Sequence, residues 1–156
     1  MTVRPTGITP FLWFDGDVEE VAKFYASIFK DAKVESVHRP AAGKPAQSAT
    51  VTLRGIRLHL FNGGPHFKFT PAVSLFVDCE TQQEVDELWA KLSADGAESC
   101  CGWLQDRYGL SWQIIPKILV KLLRDKNAAK ASAAMQAMLQ MGKLDIAGLQ
   151  RAYDQA

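Results

Sequence analysis

Residues 101–116, with the sequence CGWLQDRYGLSWQIIP, form two short apolar runs joined by a polar turn. Gly109 can take a positive φ angle in that turn, and Pro116, which has no N–H group for a neighbouring strand, ends the second run. Successive side chains of a strand point to opposite faces, so Gln113 is expected on the face opposite Trp112. An amide in mid-strand must reach solvent or line a polar surface, and its environment therefore bears on function.

Two parts of the chain share one pattern of apolar and polar residues, which indicates an internal repeat. Asp17 and Thr81 lie 64 positions apart, and each precedes an amphipathic pattern that predicts a capped helix. Later in each part the shift is 54 positions, which aligns residues 55–61, GIRLHLF, with residues 109–115, GLSWQII. The sequence therefore predicts two copies of a βαβββ unit.

The repeat predicts an α+β fold. We expect one domain at residues 1–116, with units at about residues 1–64 and 65–116, whose curled mixed sheets enclose a cleft. His59 and Gln113, which the second shift makes equivalent, would both face this cleft.

The last forty residues differ in composition from the repeat. Residues 117–156 are rich in Ala, Leu, Lys, Met and Gln and are predicted to form a helical C-terminal extension. The extension carries an apolar stripe that consists of Met135, Met138, Leu139 and Met141. We expect this stripe to pack on the domain or on a sister subunit; the alternative is a methionine-rich surface for varied partners.

Composition and charge exclude several classes of protein. The 18 basic and 17 acidic residues give a net charge of +1, which is no signature of binding to nucleic acid or to an anionic membrane. No apolar run reaches membrane-spanning length, and the N-terminal residues lack the pattern of a secretory signal. The three cysteines include no C-x-x-C pair, so no disulfide framework is expected. These features predict a cytoplasmic, reduced protein.

His59 and Gln113 are the leading candidates for functional residues. His59 is either a proton-transferring or ligand-binding group of the cleft, since the pKa of histidine suits such chemistry near neutral pH, or a hydrogen-bonded core residue. Gln113 either orients a ligand through hydrogen bonds or only fills its strand. Three aromatic residues would form the apolar walls of the cleft or belong to the core, namely Phe14, Phe61 and Trp103.

The other polar and reactive residues are predicted to have no role in the cleft. Solvent exposure is expected for His38, His66, Asp106 and Arg107. Cys100 and Cys101 are predicted to be buried and unreactive, because nothing in the neighbouring sequence lowers the pKa of a thiol.

With these motifs in view, the chain resembles the vicinal oxygen chelate superfamily, which contains glyoxalases and bleomycin-resistance proteins. It most resembles the PhnB-like group that is often labelled 3-demethylubiquinone-9 3-methyltransferase. Four stretches, spread along nearly the whole length of the chain, carry the resemblance: FLWFDGDVEEVAKFYASIF at 11–29, HLFNGGPHFKFTPAVSLFVDC at 59–79, the stretch at 101–116, and KASAAMQAMLQMGKLDIAGL at 130–149.

The resemblance implies a fold of paired βαβββ units and four positions where the superfamily binds a divalent metal. These positions fall on Pro10, His59, Ser74 and Gln113, and among them only His59 is a good metal ligand. We therefore predict no metal and no cofactor. Methyl transfer from S-adenosylmethionine would commonly use a glycine-rich loop after a strand, and residues 62–65, NGGP, match such a loop poorly.

The function expected from these observations is the binding of a small apolar or aromatic molecule in the cleft. Chemistry without a metal would use His59 to move a proton and Gln113 to orient the ligand, as in a lyase, isomerase or transferase. The alternatives are a sequestering protein without turnover, or a methyltransferase, metal-dependent lyase or dioxygenase as the family labels suggest. Members of the superfamily usually pair, so a homodimer is expected.

Overall fold

The computed structural model describes residues 2 and 4–156. The chain divides into two compact units, Met1–Lys68 and Phe69–Ala156, which we call unit 1 and unit 2. The domain boundary at residue 116 and the cleft stay predictions.

Unit 1 is a βαβββ unit with a four-stranded mixed sheet. Its elements are β1 (Phe11–Phe14), α1 (Val18–Ile28), β2 (Lys33–His38), β3 (Ser48–Leu53) and β4 (Ile56–Asn62), and the strand order is β1-β4-β3-β2. β1 runs parallel to β4, whereas the other neighbouring strands are antiparallel. The side chain of Asp17 caps α1 and accepts a hydrogen bond from the N–H of Glu19, as expected for a helix start.

Unit 2 repeats this arrangement and adds the C-terminal helices. Its sheet contains β5 (Ser74–Cys79), β6 (Ala97–Glu98), β7 (Trp103–Gln105) and β8 (Ser111–Pro116) in the order β5-β8-β7-β6, with α2 (Gln82–Ser93) after β5. Thr81 and Glu84 form the predicted capping box of α2. The chain ends with α3 (Lys117–Leu123), α4 (Ala128–Leu139) and α5 (Ile146–Asp154). The predicted α+β fold, with two βαβββ units and a helical tail, is confirmed.

α1 and α2 each cover one face of the sheet in their own unit. Under α1, the buried side chains of β1, β3 and β4 alternate with more exposed ones and comprise Leu12, Phe14, Ala49, Val51, Leu53, Leu58 and Leu60. Under α2, the buried side chains include Cys79, Leu104, Trp112 and Ile114. Burial of these side chains is the main source of stability for each unit.

The C-terminal helices of unit 2 have a core of their own around six residues, namely Ile115, Leu119, Leu122, Ala134, Leu144 and Leu149. The side-chain amide of Gln82 in α2 donates to the carbonyl of Leu144 at 3.1 Å and accepts from the N–H of Ile146 at 2.8 Å, which fastens the tail to α2. Of the predicted stripe, Met138 and Met141 pack on this core, whereas Met135 and Leu139 are exposed. Among the residues described, no helix is long and apolar enough to cross a membrane.

Candidate functional site

Each sheet has a second face that its own helix does not cover, which we call the distal face of that unit. The distal face of unit 1 carries Phe11, Trp13, Thr50, Thr52, Arg57, His59 and Phe61. The distal face of unit 2 carries Ser74, Phe76, Trp103, Gln105, Ser111 and Gln113. The two leading candidates from the sequence therefore lie on matching faces of the two units.

A row of aromatic rings lies along one edge of the distal face of unit 1. The ring centroids of Phe11 and Phe61 are 5.5 Å apart, those of Trp13 and Phe61 are 5.1 Å apart, and those of Trp13 and Phe67 are 5.0 Å apart. Phe11 is 61% exposed and Phe67 is 65% exposed. These distances are in the range of favourable ring contacts, so the row presents a continuous apolar surface.

The loop after β4 holds the indole of Trp13 in place. The Nε1–H group of Trp13 donates to the carbonyl of Gly64 at 2.9 Å. A Cβ atom at Gly63 would lie 2.0 Å from the indole ring, so only glycine allows the loop to pack this closely on Trp13. Residues 62–65 therefore serve to position an aromatic side chain.

His59 lies beside the aromatic row, between Phe11 on β1 and Thr50 on β3. Its side chain is exposed, which excludes the alternative of a buried core histidine. The Nδ1 atom is 3.0 Å from Oγ1 of Thr50, while Nε2 has no hydrogen-bond partner among the described residues. The geometry leaves Nε2 available to a ligand, and the catalytic role of His59 stays a prediction.

An ion pair completes the distal face of unit 1. Glu35 accepts a hydrogen bond of 2.6 Å from the hydroxyl of Thr52 and lies 3.0 Å from the guanidinium of Arg57. The hydrogen bond from Thr52, with the positive charge of Arg57 as a further cause, holds the pKa of Glu35 below its ordinary value. The distal face of unit 1 thus carries a row of aromatic rings, the imidazole of His59 beside it, and the ion pair of Glu35 and Arg57.

The distal face of unit 2 has a different chemistry around Gln113. The amide of Gln113 donates from Nε2 to the Oγ of Ser74 at 2.9 Å, so β5 and β8 bring together two of the positions that the resemblance singled out. Phe76 is the neighbour of Gln113 on β5, and Trp103 is its neighbour on β7. Ser111 lies two residues before Gln113 and is only 1% exposed. This part of the face carries no charged side chain.

The strand register corrects one predicted position. Phe11 pairs with His59 and Phe76 pairs with Gln113, so β1 and β5 match at a shift of 65 residues instead of the 64 that aligns the helix caps. Two residues separate β1 from its cap, whereas only one separates β5 from its cap. The residue equivalent to Ser74 is therefore Thr9, and the assignment to Pro10 is wrong by one position.

These positions do not fit the divalent metal that the fold implies. In unit 1 they offer the imidazole of His59 and the hydroxyl of Thr9, and in unit 2 the hydroxyl of Ser74 and the amide of Gln113. Hydroxyl and amide groups are weak ligands beside the imidazoles and carboxylates that such metals prefer. Among the described residues there is also no cluster of three or more His, Cys, Asp or Glu side chains that would hold a metal ion.

Of the three predicted aromatic wall residues, two lie on the distal faces. Phe61 is part of the aromatic row in unit 1, and Trp103 flanks Gln113 in unit 2. Phe14 is 3% exposed and lies in the core beneath α1, because it alternates with Trp13 along β1. Trp13 was not among the predicted wall residues, although the alternation within FLWF separates it from Leu12 and Phe14, which face the core.

Two predictions of exposure or burial are wrong. Asp106 is 2% exposed, because its carboxylate accepts hydrogen bonds from the N–H groups of Tyr108 and Leu110 and from Nε1 of Trp112. Of the two adjacent cysteines predicted to be buried, Cys100 is exposed and Cys101 is only half-buried. The exposure predicted for three other residues is confirmed, namely His38, His66 and Arg107.

Comparison with known proteins identifies close and distant relatives. The model of the family described as 3-demethylubiquinone-9 3-methyltransferase matches residues 6–115. The chain is similar to the PhnB protein from Bacillus cereus, a proposed 3-demethylubiquinone-9 3-methyltransferase, with 38% identity and a TM-score of 0.64; the match covers 70% of this chain and 98% of that chain. None of the curated proteins matches the chain.

Two more distant likenesses concern the fold alone. Protein PA1353 from Pseudomonas aeruginosa is 18% identical with a TM-score of 0.57, over 72% of this chain and 98% of that chain. A mutant of the fosfomycin resistance protein FosX from Listeria monocytogenes, in complex with Mn(II) and 1S,2S-dihydroxypropylphosphonic acid, is 14% identical with a TM-score of 0.53, over 70% of this chain and 90% of that chain.

Proposed function

Because the chain belongs to the 3-demethylubiquinone-9 3-methyltransferase (PhnB-like) family, we propose that it binds a small apolar or aromatic molecule on its distal faces. The observation that carries this proposal is the Nε2 atom of His59, which has no hydrogen-bond partner within residues 2 and 4–156 and lies next to a row of exposed aromatic rings. Aromatic surfaces supply most of the affinity for a small ligand, and a few polar groups fix its orientation. The family description, with its quinone substrate, also favours a ring-containing ligand.

Each candidate residue has a defined part in this proposal. Phe61 and Trp13 provide apolar surface on unit 1, and Trp103 provides it on unit 2. Trp13 takes the role predicted for Phe14, because Phe14 lies in the core. Gln113 orients the ligand through its amide. His59 moves a proton through Nε2, since hydrogen bonding between Nδ1 and Thr50 holds the ring in one orientation.

Methyl transfer is not part of the proposal. The glycine-rich residues 62–65 are committed to Trp13: Gly64 accepts the indole N–H, and Gly63 lies against the ring. The N–H of Gly63 is also used, since it donates to the carbonyl of Phe14 at 3.0 Å. This loop does not fit a binding loop for S-adenosylmethionine, and we derive no step through that cofactor.

Replacing His59 by Ala tests the proposal. Binding of a panel of phenols, quinols and quinones would be followed by calorimetry, and product formation by mass spectrometry. We expect the variant to lose at least about tenfold in affinity or turnover, while its melting temperature stays within about 2 °C, because an exposed side chain contributes little to stability. The His66→Ala variant, which removes another exposed histidine of unit 1, is the control.

A large loss of stability in the His59→Ala variant, with ligand binding unchanged, would contradict the proposal.

The second candidate function is that of a sequestering protein, which binds the ligand without turnover. It is favoured by the uncharged part of the distal face of unit 2 around Gln113, where Ser74 and Gln113 can hydrogen-bond but cannot transfer protons near neutral pH. Affinity without product formation for any compound of the panel would support sequestration.

We further propose that the protein is a homodimer in a reducing, cytoplasmic environment. The exposed Met135 and Leu139 of α4 give the tail an apolar surface, and the three cysteines are free thiols. Native mass spectrometry of the purified protein would report the subunit count together with any retained ligand or metal. A monomer across the micromolar range would contradict the dimer.

A further inference from the structure

The hydroxyl group of Ser111 is an anomaly within the distal face of unit 2. Its Oγ atom is fully buried and has no hydrogen-bond partner among the residues that the structure describes. Nearly all buried polar groups in proteins are hydrogen-bonded, because an unpaired hydroxyl loses its interaction with water and gains nothing in return. A serine in this position therefore disfavours the ligand-free fold.

The neighbours of Ser111 form a small cluster of uncharged polar side chains. Ser74 lies beside it on β5, Gln105 lies beside it on β7, and Gln113 follows it on β8. Because all four lie on the same face of the sheet, their polar groups are close together. The cluster offers hydroxyl donors and amide donors and acceptors, but no formal charge.

The cluster is only partly satisfied by its own hydrogen bonds. The bond from Gln113 to Ser74 uses one N–H of the amide, and the Oε1 atom has no partner among the described residues. Gln113 is half-buried, so its side chain can turn away from Ser74 without disturbing the core. Such a rotation would release the amide of Gln113 and the Oγ atom of Ser74 for an incoming group next to Ser111.

Two aromatic rings flank the cluster. Phe76 is 50% exposed and lies next to Gln113 on β5, and Trp103 is half-buried and lies next to Gln113 on β7. A flat apolar molecule could contact both rings while it directs one polar substituent between them. A charged substituent would find no counter-ion in the cluster and would pay the full cost of leaving water.

We propose that Ser74, Ser111 and Gln113 form a binding subsite for one uncharged hydroxyl or carbonyl group of an aromatic ligand. The inference rests on the proposed function and makes the ligand more specific: a neutral ring compound with a polar substituent. Ser111 is the residue that gains most on binding, because the ligand supplies the hydrogen bond that the free protein lacks. The cluster therefore destabilises the free protein and strengthens the binding of the ligand.

Phenol and toluene test this subsite, because they have nearly the same shape and differ in one hydroxyl group. Their affinities would be measured by two-dimensional NMR from the shifts of the Trp103 indole and the Gln113 amide signals. We expect the wild type to bind phenol about tenfold more tightly than toluene, the size of one net hydrogen bond. The Ser111→Ala variant should lose this preference, with its affinity for toluene unchanged and its melting temperature equal to or above that of the wild type.

The Ser36→Ala variant, which removes an exposed hydroxyl from β2 of unit 1, is the matched control and should behave as the wild type. If toluene binds and phenol binds no better, or if Ser111→Ala keeps the preference, the subsite is refuted while the proposed function stands. A marked fall in melting temperature on Ser111→Ala would also refute it, since it would show a structural hydrogen bond. If neither probe nor the phenol, quinol and quinone panel binds the wild type, the proposed function itself fails.

Discussion

The two distal faces share a backbone plan but differ in chemistry. In both units a partly exposed phenylalanine of the first strand, Phe11 or Phe76, lies beside a polar residue of the last strand, His59 or Gln113. In unit 1 that polar residue is an exposed imidazole near an ion pair. In unit 2 it is an amide that belongs to an uncharged cluster. The two units thus share a phenylalanine at this position of the first strand but differ in the polar residue beside it.

This difference separates what the two faces can do. An imidazole can accept and release a proton near neutral pH, so the face of unit 1 is suited to chemistry. Hydroxyl and amide groups keep their protons in that range and can only bind and orient, which suits the face of unit 2 to recognition. Under the proposed function, proton transfer would therefore belong to unit 1 and ligand recognition to unit 2.

The largest expected effect concerns Asp106, in the turn between β7 and β8 of unit 2, compared with Thr52, near the end of β3 in unit 1. Replacing Asp106 by Ala leaves three donors without their acceptor, including the indole N–H of the buried Trp112. We expect the free energy of unfolding to fall by about 3 kcal/mol or more. Replacing Thr52 by Ala removes one exposed hydrogen bond and should cost much less. Urea denaturation measures both.

Glu87→Ala is the control for charge, because it removes an exposed carboxylate that pairs with Lys91 at 3.8 Å. Exposed pairs contribute at most about 1 kcal/mol, so this variant should stay close to the wild type. Equal losses in the Asp106→Ala and Thr52→Ala variants would show that the buried hydrogen bonds of Asp106 stabilise unit 2 no more than one exposed hydrogen bond stabilises unit 1, which would contradict the comparison.

A smaller effect is expected for the loop that positions Trp13, which has no counterpart in unit 2. The Gly63→Ala variant places a methyl group within 2.0 Å of the indole ring, so the ring or the loop must move. Overpacking of this kind typically costs about 2 kcal/mol, and it should also shift the NMR signal of the Trp13 indole N–H. Gly7→Ala is the control, because nothing lies within 4 Å of the added atom. An unchanged indole signal would mean that the loop does not hold Trp13.

Much of the fold could be predicted from the sequence because the repeat is encoded in local patterns. The capping residues Asp17 and Thr81 and the amphipathic helices after them depend on neighbours within one or two turns. The strand pairing depends instead on contacts between distant residues. The one-residue difference between β1 and β5 therefore escaped detection, and with it the equivalence of Thr9 to Ser74.

The candidate site was harder to predict because it depends on which side chains face outward and which are paired. Asp106 looked like a typical turn residue, and only its contact with Trp112 shows why it is buried. Ser111 has no sequence signal at all, since an unpaired hydroxyl is recognised only when burial and hydrogen bonds are known. His59 and Gln113 are predictable as candidates because the repeat alignment makes them equivalent across the two units.

The smallest effect concerns the faces beneath the helices, where Phe14 of unit 1 is matched by Cys79 of unit 2. Burial, followed by the negative charges of Glu84 and Asp78, raises the pKa of the Cys79 thiol to about 11. An unfolded thiol has a pKa of about 8.5. Above about pH 8 the unfolded state therefore loses a proton that the native state keeps, and stability declines as the pH rises towards 11.

Between pH 9 and 10 this linkage should lower the free energy of unfolding by about 1 kcal/mol, apart from the contributions of other groups. Those contributions cancel when the wild type is compared with the Cys79→Ala variant, which has no thiol at this position. The variant loses some packing at every pH, but its stability should decline less steeply over this range in urea denaturation. If the free energies of unfolding of the two proteins decline in parallel, Cys79 is not held as a protonated thiol. The core of unit 2 would then be no more sensitive to pH than the core of unit 1, where Phe14 has no group that titrates.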